Sequence, residues 1–112
     1  MYAVEFLLNN GADVNTRDEK GFTLLMFLVT HQDTSLIAYI IKKGARVNDT
    51  SLCGLTALDY AVKENNLEIV TLLVDNGAVI TDSSYMLAIR KRFKRIITYF
   101  DSFDENKQIF LR

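Results

Sequence analysis

Cysteine occurs once in these 112 residues, at Cys53, histidine once, at His31, and proline not at all. One thiol excludes an internal disulfide and any cysteine-based zinc cluster. Without proline, no helix entry has its φ set in advance. No apolar run approaches the ~20 residues that cross a bilayer. Met1 to Asn10 also lacks the basic start and small-residue cleavage site of a secretory signal. A lone thiol without such a signal points to a reducing, intracellular setting. Glycine is scarce and dispersed, with five in the chain. A phosphate-binding loop needs glycines clustered so that their amides converge on one anion. HExxH, CxxC, nucleophile-elbow and calcium-loop patterns are missing as well, which leaves an enzyme reading without a motif.

Apolar residues make up 49% of the chain and charged residues 24%, the balance of one modest folded domain rather than a disordered segment. The formal charge of −1 hides an asymmetry. Residues 1–89 carry six Lys/Arg against eleven Asp/Glu, whereas Arg90-Lys91-Arg92-Phe93-Lys94-Arg95 packs five positive charges into six residues. The body is acidic and one spot is strongly basic.

A repeat organises the rest. Leu7-Leu8-Asn9-Asn10-Gly11-Ala12, Ile40-Ile41-Lys42-Lys43-Gly44-Ala45 and Leu73-Val74-Asp75-Asn76-Gly77-Ala78 place their glycines 33 residues apart. Gly21 and Gly54 are separated by the same 33 residues. Before Gly11, Gly44 and Gly77 run apolar residues at helical spacing, for example Leu36, Ile37, Ile40 and Ile41. Glycine just past such a run is the expected left-handed helix end. Gly21 and Gly54 instead precede Thr23 and Thr56, which read as N-caps of a second, shorter helix, with Asp59 favouring the positive end of its helix. Each unit is thus a turn, a short helix, a tight loop, a longer helix and a glycine stop. One such helix pair cannot bury its apolar face alone, so units must stack.

Period and pattern resemble the ankyrin repeat. Asp18-Glu19-Lys20-Gly21-Phe22-Thr23 matches the opening of that family's unit and Gly54-Leu55-Thr56-Ala57-Leu58-Asp59-Tyr60-Ala61 its short helix. Gly11-Ala12-Asp13-Val14-Asn15 and Gly44-Ala45-Arg46-Val47-Asn48 match its end. The resemblance covers residues 1 to about 100 and implies an all-α solenoid of stacked helix-turn-helix units with hairpin-like turns. There are departures. Leu24 and Ala57 stand where the family usually has proline, Met26 and Asp59 replace its histidine, and Leu28 occupies an alanine position.

The expected divisions are a partial unit at 1–15 with a long helix only, full units at 16–48 and 49–81, a degenerate capping unit at 82–103 and a tail at 104–112. In the capping unit Ile69-Val70-Thr71 aligns with Ile96-Ile97-Thr98 at an offset of 27, so six residues are lost from the turn before Ser83 to Met86. The chain then reads as a monomer or a section of a longer array.

His31 aligns with Glu64 and Lys91 near the end of the short helix and is expected at the surface; catalysis would require a partner group supplied by the fold. Cys53 is expected to be an ordinary turn residue, the alternative being a reactive thiol. Asp18-Glu19, the one adjacent acidic pair, is expected to be solvated in a turn. Phe6, Phe27, Tyr39, Tyr60, Tyr99 and Phe100 are expected to pack in the core or between units, and Phe103 and Phe110 to fold back over the end of the stack. The basic run has three readings: a polar cap, an import or acid-docking signal, and nucleic-acid binding, the last supported by only one ring, Phe93.

The resemblance implies that partners are held by the turn tips and the exposed ends of the short helices. Carried over residue by residue, that face comprises Arg17, Glu19, Lys20, Phe22, Thr30 and His31 in one unit. Thr50, Leu52, Cys53, Leu55, Lys63 and Glu64 follow in the next, then Arg90 and Lys91. Phe22, Leu52 and Leu55 are candidate apolar anchors, or else pack across neighbouring turns. The implied function is non-catalytic protein binding as a scaffold or adaptor, with no cofactor and no metal, in the cytoplasm or, through Arg90 to Arg95, the nucleus. The alternatives are a regulatory segment of a larger enzyme, channel or transcription factor, and a nucleic-acid-associated factor using residues 90–95. Fold does not select among partners.

Overall fold

The computed structural model describes residues 11–103. Most of the partial first unit, with Phe6, and the tail at 104–112, with Phe110, lie outside the described residues. Six helices occur among those described: α1 Leu24–Thr30, α2 Thr34–Lys42, α3 Ala57–Lys63, α4 Leu67–Asp75, α5 Asp82–Lys91 and α6 Lys94–Asp101. Two isolated antiparallel bridges, Arg17 with Thr23 and Thr50 with Thr56, close the turns that precede α1 and α3.

Local chemistry sets the helix boundaries. Thr23 and Thr56 cap α1 and α3, each accepting from the backbone N–H three residues on, and the third residue reaches back. For Thr56 that return partner is the Asp59 carboxylate at 3.0 Å; for Thr23 it is only the Met26 thioether at 3.4 Å. Asp33 and Asn66 cap α2 and α4. The long helices end as expected at Gly44 and Gly77, both at left-handed φ. The following N–H groups, of Ala45 and Ala78, return to the carbonyls of Ile40 and Leu73. The short helices use the same closure without glycine. Gln32, Asn65 and Arg92 sit at φ of 58, 53 and 61°, at the 33- and 27-residue offsets of the repeat.

α1 packs on α2, α3 on α4 and α5 on α6, and the short helices α1, α3 and α5 form a continuous row. The buried positions recur with the repeat: Leu25, Leu58 and Tyr85; Leu36, Ile69 and Ile96; Ile40, Leu73 and Phe100. Each such fully buried side chain contributes roughly 1.5–3 kcal/mol relative to exposure. Leu28 is buried where Ala61 and Ala88 stand in the neighbouring units, so the stack accommodates the larger side chain.

One expectation needs correction. Phe27 is 48% exposed. The buried residues of α1 are Leu25, Met26, Leu28 and Val29, and Phe27, roughly 200° around the helix from Leu25, points the other way. Tyr39, Tyr60 and Tyr99 are half-buried and Phe100 is fully buried, as an internal role requires. α5 departs from the other short helices: the 27-residue offset aligns Ser83 with Thr56, but the N-cap is Thr81, and α5 runs for 10 residues against 7 in α1 and α3. With no turn to build after Gly77, the helix starts early, helped by Asp82 at its positive end.

Candidate functional site

The two turn tips are fixed before any partner arrives. In the first, the Asp18 carboxylate accepts from the N–H groups of Lys20 and Phe22, each at 2.9 Å. In the second, Gly54 N–H donates to the Ser51 carbonyl at 2.8 Å. The tips are also joined to one another. Leu52 N–H donates to the Lys20 carbonyl at 3.0 Å, an approach so close that a Cβ on Gly21 would lie 3.0 Å from Leu52 N. Arg17 donates to the carbonyls of Gly21 (2.9 Å) and Thr50 (2.7 Å) and pairs with Asp49 at 3.1 Å. Arg46 approaches the same Asp49 oxygen at 3.0 Å.

A second ladder joins the unit ends. Asn15 accepts from Arg46 N–H at 2.7 Å and donates to the Gly44 carbonyl. Asn48 repeats this with Val79 N–H and the Gly77 carbonyl, at 2.8 and 2.9 Å. The next rung would fall at Thr81, which caps α5 instead.

Against this frame the expected contact residues divide into groups. Glu19 and Lys20 project from the first tip, and Thr50, Leu52 and Cys53 from the second, all exposed. Leu52 is 79% exposed on a backbone held by its neighbour. Arg17 has its guanidinium committed to the internal clamp. Phe22 is half-buried, its ring edge-on to Tyr60 at 5.1 Å, so it packs across the seam between units. Leu55, its counterpart in the next unit, is also half-buried and carries no ring. Thr30, Lys63 and Arg90 recur at one position of the short helices, and His31, Glu64 and Lys91 at the next. They lie about 10 Å from the tips, one short helix away. His31 stacks on Phe27 with ring centroids 4.1 Å apart, and its Nδ1 lies 2.9 Å from the Phe27 carbonyl. Lys63 lies over the Tyr60 ring.

Two exposed hydrophobes belong to this face without having been expected there: Phe27 and Met86. Phe27 could have been found from its phase relative to Leu25 and Val29. Met86 could not, because it aligns with Asp59 and Met26, both buried in the preceding units.

The basic run spans the hairpin of the last unit. Arg90 and Lys91 end α5, where cations suit the negative helix end. Lys94 and Arg95 open α6, which has no side-chain cap, so they oppose its dipole. Tyr99 lines the surface hollow beside Lys94 and Arg95. Burial, and then the nearby Asp75 carboxylate, hold its phenol above the ordinary pKa of 10.0. The phenol is thus neutral at physiological pH and does not offset the two cations.

Three stacked helix pairs, bridged turns and asparagine rungs define a helical repeat array. The family model described as ankyrin repeats, in three copies, matches residues 1–84 of the 112, and the chain belongs to the ankyrin repeat family. Among the curated proteins none matches it. Ankyrin repeats are generally protein–protein interaction modules and typically non-catalytic. Among the described residues no helix is long and apolar enough to cross a membrane, and no group of three or more His, Cys, Asp or Glu is placed to hold a metal ion.

Proposed function

We propose that this chain is a docking module that holds a partner protein with its turn tips and the exposed side of its short helices and performs no chemistry itself. The observation that carries this reading is Leu52, a large apolar side chain left 79% exposed on a turn locked by hydrogen bonds to the preceding unit. A hydrophobe carried on a fixed backbone has less freedom to lose when a partner covers it, which favours an anchor. Glu19, Lys20, Thr50 and Phe27 supply a polar and aromatic surround. Thr30, His31, Lys63, Glu64, Arg90 and Lys91 extend the face along the helix ends. Phe22 and Arg17 support it from beneath. The unit at 82–103 serves as a polar cap on the stack. The exposed thiol of Cys53 suits a reducing, cytoplasmic compartment.

Affinity capture with wild type and with Leu52→Asp and Phe27→Asp tests the reading. Both side chains are exposed, so each variant should keep its helical circular dichroism while losing captured partners. Unchanged capture of every partner by both variants would remove the proposal.

A further inference from the structure

The two seams between short helices are built differently. Between α1 and α3, Phe22 packs edge-on to Tyr60, and the clamped turn at 49–56 lies alongside the turn at 16–23. The equivalent positions between α3 and α5 are Leu55 and Leu87, at the repeat offsets of 33 and 27. Neither carries a ring, and α5 begins at Asp82, directly after Thr81, so no third turn arrives to flank the second. What remains is a groove of about 540 Å³ with Leu55, Met86 and Leu87 among its lining residues. Met86 is 47% exposed, although both residues at its repeat position, Met26 and Asp59, are buried.

The groove has polarity. Lys63 and Arg90, at the same position of α3 and α5, line the end away from the turns, with Lys91 adjacent. Neither Lys63 nor Arg90 has an ion pair with a described residue. Asp82 lines the opposite end. The Asp59 carboxylate is buried, accepting from Thr56 N–H at 3.0 Å and from the Ser84 hydroxyl at 2.6 Å, so it is spent inside the stack.

Resting on the docking reading above, we propose that the α3–α5 groove takes an extended segment of a partner protein. The segment places a bulky apolar side chain against Leu55, Met86 and Leu87, and a carboxylate between Lys63 and Arg90. The volume suits one large side chain and its flanking backbone. Methionine adapts its shape to what enters. Two cations without an ion pair among the described residues stand at one end; they select an acid and set the direction of the segment. A nucleic acid would be poorly served by this apolar floor, which has no aromatic face to stack on.

The test is a display library of random peptides panned against the whole chain, followed by fluorescence polarisation of the enriched sequences. Enriched peptides should carry a large apolar residue close to Asp or Glu. Their affinity should fall by about tenfold or more in Lys63→Glu/Arg90→Glu, the cost of reversing close charge pairs, and in Met86→Asp, but not in Val79→Asp, which adds the same carboxylate at an exposed position outside the proposed face. All the substituted side chains are exposed, and circular dichroism confirms that each variant is folded. Peptides whose binding is lost only in Leu52→Asp would overturn the groove and leave the docking module standing. Enrichment of basic peptides, or displacement of the bound peptide only by single-stranded nucleic acid, would overturn the groove's stated chemistry. No enrichment at all would overturn the groove, while the docking module stands or falls by the capture experiment above.

Discussion

The Ser84 hydroxyl donates to Asp59 Oδ1 across 2.6 Å, and both side chains are buried between α3 and α5. At the α1–α3 seam the same two repeat positions hold Met26 and Ala57, also buried. One seam is therefore apolar at this point and the next is polar. Removing the donor alone leaves a buried carboxylate oxygen short of a hydrogen bond, whereas replacing both partners restores an apolar pair. Ser84→Ala should lower stability by about 1.5–3 kcal/mol in urea unfolding. Asp59→Met/Ser84→Ala, which copies the first seam, should recover most of that loss. A double variant no more stable than Ser84→Ala would show that the apolar pair does not replace the hydrogen bond.

Arg17 tests how the turn tips are held. Its planar group serves the Gly21 and Thr50 carbonyls and the Asp49 carboxylate together. An ammonium cannot present that fork. Arg17→Lys should therefore lose nearly as much thermal stability as Arg17→Ala, on the order of 1 kcal/mol for this partly exposed site. Full rescue by lysine would mean that charge alone matters there.

Arg92 closes α5 at a φ of 61°, a conformation that costs an L-residue roughly 1 kcal/mol and glycine almost nothing. The Arg92 and Phe93 N–H groups donate to the carbonyls of Ile89 and Ala88, and glycine would keep both bonds. Arg92→Gly should raise stability by about 0.5–1 kcal/mol in thermal unfolding. A loss of stability would show that the arginine side chain holds the hairpin by itself.

The scaffold was legible in the sequence because its devices are local. A threonine three residues before a hydrogen-bonding side chain, and a glycine after an apolar run, state their roles within one turn of chain. The rungs of Asn15 and Asn48 were visible only as a spacing, since their partners lie 29 and 31 residues away. The partner face was less legible for the same reason. Arg17 and Phe22 read as exposed from position alone, yet one is engaged by Asp49 and the other by Tyr60 in the next unit. Met86 went unseen because its exposure follows from a turn that is missing rather than from its own surroundings.

The end of the stack gives the remaining test. Val29, Val62 and Ile89 occupy one repeat position; the first two are fully buried, while Ile89 is 37% exposed. The difference has a single geometric cause, since among the described residues α3 follows α1 and α5 follows α3, but no further short helix follows α5. A hydroxyl at position 62 would be buried among apolar neighbours and leave a small cavity, costs that together reach about 3 kcal/mol. The same hydroxyl at position 89 can reach water. Val62→Ser should thus destabilise the chain by about 3 kcal/mol, and Ile89→Ser by no more than about 1 kcal/mol, in parallel urea titrations. Comparable losses at the two positions would mean that something in the full chain covers α5 as closely as α5 covers α3, and that the last unit is no cap.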